Sequence, residues 1–219
     1  MTAPAERDQR DQRVPLDRRA RRRAETIAEI LDRAVVIMSD DGVAGLTMSG
    51  LARAMSIQPP SLYKYFPSRM ALFDRLFYDG HQQYRDEFRA GAKTADSGLP
   101  ALVAGLEAGG RWAMRNQALA QLLFWRPVPK FEPSIESFAP GLAVVEDIKQ
   151  MLAEAVDRGQ VAPAAASLEA MSLLSILVTG IVSQQLANAP DEPFEAGRFT
   201  RLAPQVFAMF RAHYPPVIG

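Results

Sequence analysis

The chain has 219 residues, 48% of them hydrophobic and 23% charged, an ordinary globular composition that excludes wholesale disorder. It contains no cysteine, which removes disulfides, thiolate chemistry and cysteine-based zinc fingers, and is compatible with a reducing cytoplasm. The net charge of zero hides an asymmetry: residues 1–70 carry 12 Lys and Arg against 9 Asp and Glu, whereas residues 71–219 carry 13 against 16. That is the sign expected of a DNA-facing head on an acidic body.

Residues 1–16 lack apolar periodicity and are expected to form a flexible arm, too polar for a secretory signal. From about Asp17 the residues Ile27, Ile30, Leu31, Ala34, Val35 and Met38 follow the spacing of one buried helical stripe, which Gly42 and Gly45 end. Thr47 opens a short helix as a side chain able to cap free amides, with Met48, Leu51, Ala52 and Met55 as its inner face. A third helix starts at Pro59–Pro60, where a missing N–H costs nothing, and runs to about Phe66. Ser68 then caps a long helix with Leu72, Phe73, Leu76, Phe77, Tyr84 and Phe88 inward, broken between Gly91 and Pro100. Further helices are expected over about 100–115, 117–126, 139–158, 164–188 and 195–213, separated by Pro- or Gly-containing connectors. No stretch alternates with period two, so no sheet is expected. The apolar run Ala170–Val182 is shorter than the roughly 20 residues of a membrane span, and reads as a buried helix with no membrane partner.

The stretch Leu46–Phe77 carries the chemistry. Two short helices joined by a tight turn suit the steep crossing that places the second helix in a major groove. Ala52 is small enough for the crossing, and Ile57 supplies an apolar plug after the turn. The first turn of the second helix, Pro59, Pro60 and Ser61, is free of long side chains.

This stretch resembles the N-terminal pattern of the tetracycline-repressor (TetR) family of regulators. The matching residues are Thr47, Leu51-Ala52, Met55-Ser56-Ile57-Gln58, Pro59-Pro60, Ser61-Leu62-Tyr63-Lys64-Tyr65-Phe66 and Ser68-Arg69-Met70-Ala71-Leu72. The resemblance covers about residues 18–80. Ser56 stands where the family usually has the turn glycine, so a non-glycine residue is expected at positive φ there. Gln58 replaces the usual serine cap of the recognition helix.

From this resemblance and the chemistry of the residues, Thr47 is expected to present its hydroxyl and backbone N–H to a phosphate. Tyr63, Lys64 and Tyr65 would reach phosphates, Lys64 also a base edge. Pro59, Pro60 and Ser61 would form the base-proximal surface, suited to thymine methyls. Arg69 would grip the backbone, while Leu62 and Phe66 belong to the core. The cluster Arg18, Arg19, Arg21, Arg22 and Arg23 is either a solvated helix start or an electrostatic arm on DNA; like charges at the positive end of a helix dipole favour the second.

The expected fold is therefore all-α, with an arm (1–16), a three-helix helix-turn-helix domain (17–67) and a larger helical ligand-binding and dimerisation domain (68–219). For the last of these the family implies middle helices around an inducer and final helices paired with a second subunit. Trp112, Phe124, Trp125, Phe131, Phe138, Met151 and Leu174 are candidates to line a largely apolar pocket, or else are plain core. Arg111 and Arg115 either meet an anionic ligand or form a solvated face. Leu177, Ile181, Phe199, Leu202, Val206 and Phe210 are candidates for a homodimer interface, against the alternative of an ordinary monomer core.

The implied function is a cytoplasmic DNA-binding regulator, a repressor freed from double-stranded palindromic operator DNA by a small-molecule inducer. The alternative is a helical adaptor of the same fold without DNA binding. No cofactor, metal site or enzymatic activity is expected: His81 and His213 are the only histidines, and no catalytic or phosphate-cradling motif is present.

Overall fold

The computed structural model describes the backbone of residues 7–216 and the side chains from Arg18 onward. Among the described residues there are helices and turns but no strand, as expected. The chain divides into two compact units, Met1–Leu72 and Phe73–Gly219.

The first unit contains α1 (Arg7–Asp41), α2 (Met48–Ala54), α3 (Pro59–Tyr63) and the first turn of α4 (Arg69–Ala92). Helix α1 begins at Arg7 rather than Asp17, so residues 7–16 of the expected arm are helical and residues 1–6 lie outside the described ones. Arg and Gln of this segment are good helix formers, but Asp8, Asp11 and Pro15 are not, so propensity does not account for the extension. The unit also extends five residues past the expected boundary at 67. Its core is the predicted stripe of α1, with Ile30, Leu31, Ala34 and Met38 buried, together with Leu51, Ala52 and Leu62.

The second unit holds the rest of α4, then α5 (Leu99–Arg115), α6 (Gln117–Phe124), α7 (Ile135–Asp157), α8 (Leu168–Asn188) and α9 (Ala203–His213). Short 3-10 turns at Pro163–Ala166 and Thr200–Leu202 precede the last two helices. Those turns account for the late starts of α8 and α9. Helix α7 starts four residues before the expected position, because Ser134 caps it by accepting the Ser137 N–H.

Small residues on α5 let the aromatic side of α4 approach. A Cβ added at Gly105 would lie 2.9 Å from the Phe88 ring, and one at Gly109 would lie 2.7 Å from Tyr84. The same unit buries Leu102, Leu152, Leu174, Phe207 and Phe210 in one core. Gln185, fully buried, accepts the N–H groups of Phe199 and Thr200 and donates to the Ala189 carbonyl, so its polarity is satisfied.

The apolar run at 170–182 is longer in the structure than its sequence suggests. It lies in the 21-residue α8, which is long and apolar enough, by length and composition alone, to cross a membrane. Ala170, Leu174, Val182 and Gln185 nevertheless bury one side of it against its own unit.

Candidate nucleic-acid interface and ligand cavity

Helix α2 is capped at its start by Thr47, whose Oγ1 accepts the Gly50 N–H at 3.1 Å. It ends in a Schellman turn: Ile57 N–H donates to the Ala52 carbonyl and Ser56 N–H to the Arg53 carbonyl, both at 3.0 Å. Ser56 takes the left-handed position with φ 56°, the place that Gly159 fills after α7 with φ 65°. Helix α3 follows without a side-chain cap from Gln58. Its Leu62 is buried and so is Phe66 beyond it, and this fixes Tyr63 (49% exposed) and Lys64 toward solvent. Tyr65, half-buried, lies under Arg23: the guanidinium sits 5.0 Å from the ring centroid, and its Nη2 donates to the Lys64 carbonyl at 3.4 Å. The exposed Arg18, Arg19, Arg21, Arg22 and Arg23 on α1, together with Lys64, give this unit a concentration of cations.

The second unit carries a cavity of about 660 Å³, open to solvent on one side, between α4, α5, α7, α8 and the end of α6. This size falls within the range typical of small-molecule sites. Its wall is mainly apolar, with Leu106, Phe124, Phe138, Val145, Ile148 and Met171 among the lining side chains. The polar lining consists of His81, Tyr84, Arg126, Ser172, Ser175 and Thr179. Burial, aided by the Arg126 charge, lowers the His81 pKa to about 4, so the imidazole is neutral at physiological pH. Burial likewise pushes Tyr84 up to about 12, keeping its hydroxyl protonated. His81 stands edge-on to Phe77 at 4.5 Å. Arg126 lies over the Phe138 ring at 5.1 Å.

The family model described as bacterial regulatory proteins, tetR family, matches residues 30–76, which contain α2, α3 and the turn between them. The likeness to the tetR family model is thus confined to this N-terminal segment. Helix-turn-helix transcriptional regulators of Mycobacterium tuberculosis and Mycobacterium bovis are 33% identical to it over 121 residues, 54% of this chain and 51% of theirs. The chain thus spans about half the length of the curated relatives it matches. Its fold is similar to that of a Rhodococcus protein of unknown function (TM-score 0.70, 21% identity, 84% of this chain and 93% of that one). It is also similar to the transcriptional regulator FadR of Bacillus subtilis, solved in complex with stearoyl-CoA (TM-score 0.67, 14% identity, 84% and 96%).

Of the DNA-contact candidates, Arg22, Thr47, Pro60, Tyr63 and Lys64 are exposed, while Pro59, Ser61, Tyr65 and Arg69 are half-buried. The Thr47 hydroxyl is already engaged in capping, and Arg69 reaches back to the Leu46 carbonyl at 3.5 Å. Of the pocket candidates, Phe124, Phe138 and Leu174 line the cavity. The other four do not. Trp112 is buried behind it, edge-on to Tyr84, and Trp125 points outward at 38% exposure. Phe131 packs on Phe73 and Phe77, and Met151 packs on the core. Arg111 and Arg115 meet Glu107, Glu195 and Glu87 instead of a cavity.

Of the dimer candidates, Phe210 is a core residue, 1% exposed. The expected stripe mixed two faces of α9. Ala203, Phe207 and Phe210 point inward, while Leu202, half-buried Val206 and Met209 (64% exposed) lie on the outer side. Phe199 is half-buried, and its N–H bonds Gln185. Leu177 and Ile181 are half-buried against the core, whereas the exposed Ile176 of α8 lines the mouth of the cavity.

Sequence reasoning missed His81, Tyr84 and Arg126 as cavity residues. His81 had a signal: it continues the 77–81–84–88 spacing of the inward side of α4. Arg126 had little beyond its place between Trp125 and Pro127, since its position depends on a left-handed turn.

Proposed function

We propose that this chain is a sequence-specific DNA-binding transcriptional regulator acting as a homodimer, a cytoplasmic repressor released from a palindromic operator by a largely apolar small molecule. The observation that carries this reading is the placement of Tyr63 and Lys64 at the exposed end of a recognition helix anchored by buried Leu62 and Phe66. These residues lie inside the segment that matches the tetR family model. The cationic side chains of α1 add the sequence-independent attraction to phosphate. The apolar lining of the cavity, and the stearoyl-CoA held by a regulator of similar fold, support an effector with a substantial hydrocarbon part. The outward Leu202 and Met209 support pairing of two copies, which would present two heads to half-sites about 34–36 Å apart.

The test begins with fragments of the source genome selected by the purified protein, followed by titration of the recovered site. Tyr63→Ala and Lys64→Ala are expected to weaken binding at least about tenfold, with thermal midpoint and oligomer mass unchanged. Lys64→Ala should also flatten the dependence of log K on log salt by about one unit. Parent-like binding by both variants would refute the placement of the DNA surface. Absence of any salt-sensitive shift would favour a non-DNA adaptor.

A further inference from the structure

We propose that the cavity of the second unit takes an amphiphile with a hydrocarbon body and a single carboxylate, and that Arg126 holds the acid. This rests on reading the cavity as the effector site. Among the lining residues there is no Asp or Glu, and Arg126 is the one permanently charged side chain. Its surroundings differ from those of this unit's arginines on α4 and α5, which are held by carboxylates. Arg85 and Arg89 share Asp147, Arg111 meets Glu107 and Glu195, and Arg115 meets Glu87. Arg126 has no carboxylate partner among the described residues and lies instead on the face of Phe138 at the cavity rim.

The backbone at Arg126 points the same way. Its φ is 45°, a left-handed conformation that glycine adopts freely and arginine does not. The turn closes α6, with the Trp125 and Arg126 N–H groups both donating to the Gln121 carbonyl. A helix end needs no arginine here, so its side chain is the feature left to explain.

The lining also holds neutral hydrogen-bonding groups, of which His81 feels the Arg126 charge. Neither ring nitrogen of His81 and no hydroxyl contact of Tyr84 has a partner among the described residues, yet no buried polar side-chain atom is left unpaired. Both residues line the cavity, where they can hydrogen-bond a headgroup without adding charge. A carboxylate would supply the missing counter-charge in the planar geometry that guanidinium favours, with its hydrocarbon along Phe124, Val145, Ile148 and Met171. A cation would be repelled. A phosphate, near two negative charges, would be half neutralised by this single arginine.

The probes are three twelve-carbon molecules of equal chain length: dodecanoate, dodecanol and dodecyltrimethylammonium, titrated calorimetrically into the full chain below their aggregation concentrations. Dodecanoate should bind about tenfold tighter than dodecanol, the scale of one charge-assisted hydrogen-bonded pair, and the ammonium compound weakest. Arg126→Gly should bring dodecanoate down to the dodecanol level and leave dodecanol unchanged. Its thermal midpoint should not fall, because glycine suits this φ. Arg126→Lys should keep part of the preference.

Equal binding of acid and alcohol, binding of none of the three, or an acid preference that survives Arg126→Gly would each overturn the proposal. DNA binding by the ligand-free protein is measured separately. Its absence would count against the regulator reading and leave the acid preference to stand or fall by itself.

Discussion

His81 couples the cavity to stability in a measurable way. Burial and the Arg126 charge lower its pKa from 6.5 to about 4 in the folded chain. Between those values the unfolded chain binds a proton that the folded chain does not. The stabilisation is thus complete above pH 6.5 and is lost as pH falls toward 4. At 1.36 kcal/mol per unit of pKa the full effect is roughly 3 kcal/mol. Urea unfolding followed by tryptophan fluorescence reads the second unit, since both tryptophans, Trp112 and Trp125, lie in it. Protein concentration must be held fixed, because the proposed subunit pairing would contribute to apparent stability. Compared with His81→Leu, the parent should lose stability more steeply between pH 6.5 and 5. The pKa values of Asp74, Asp147 and Glu195 are all lowered in the folded chain, so their contributions fade at more acid pH. In a His213→Gln background one imidazole remains, and its proton resonance should titrate near pH 4. A ring titrating above pH 6, or parallel stability curves for parent and His81→Leu, would refute the reasoning.

Ser56→Gly should stabilise the first unit by up to about 1 kcal/mol, since the left-handed cost to serine exceeds the extra entropy that glycine loses; a lowered thermal midpoint would contradict this. Asp147→Asn should destabilise the second unit by about 1–2 kcal/mol in denaturant unfolding, a figure kept low because Arg89 is half exposed. Burial raises the Asp147 pKa, but hydrogen bonds from Arg89 and Arg85 outweigh it and hold the value below 3.8, so this contribution is present at neutral pH and lost in acid. Arg23→Ala should weaken DNA binding more than Arg22→Ala, because it removes both a phosphate-attracting charge and the contact that steadies Tyr65 and the Lys64 carbonyl; equal losses in a binding titration would reduce Arg23 to a plain cation.

What was legible in the sequence was whatever depends on neighbours along the chain. The Thr47 cap, the positive φ of Ser56, the missing cap at Gln58 and the inward Leu62 and Phe66 all follow from residues within about five positions of each other. The early start of α1 was not legible, because Pro15 and the aspartates at 8 and 11 disfavour a helix and no apolar stripe marks it.

The cavity was not legible in this way. Whether Phe131 lines it or packs on Phe73 depends on how α4, α7 and the 126–134 connector meet, and aromatic spacing is the same in either case. The outer and inner faces of α9 were confused for a related reason. Phe199 to Phe210 was read as one helix, but a 3-10 turn at Thr200–Leu202 resets the phase before Ala203, moving Phe210 inward. Arg126 depends on both effects: a left-handed residue after α6 re-aims the chain, and only then does its guanidinium reach Phe138 and His81. Local chemistry therefore made the helix-turn-helix geometry readable, whereas the cavity lining was set by turns whose conformations the sequence does not announce.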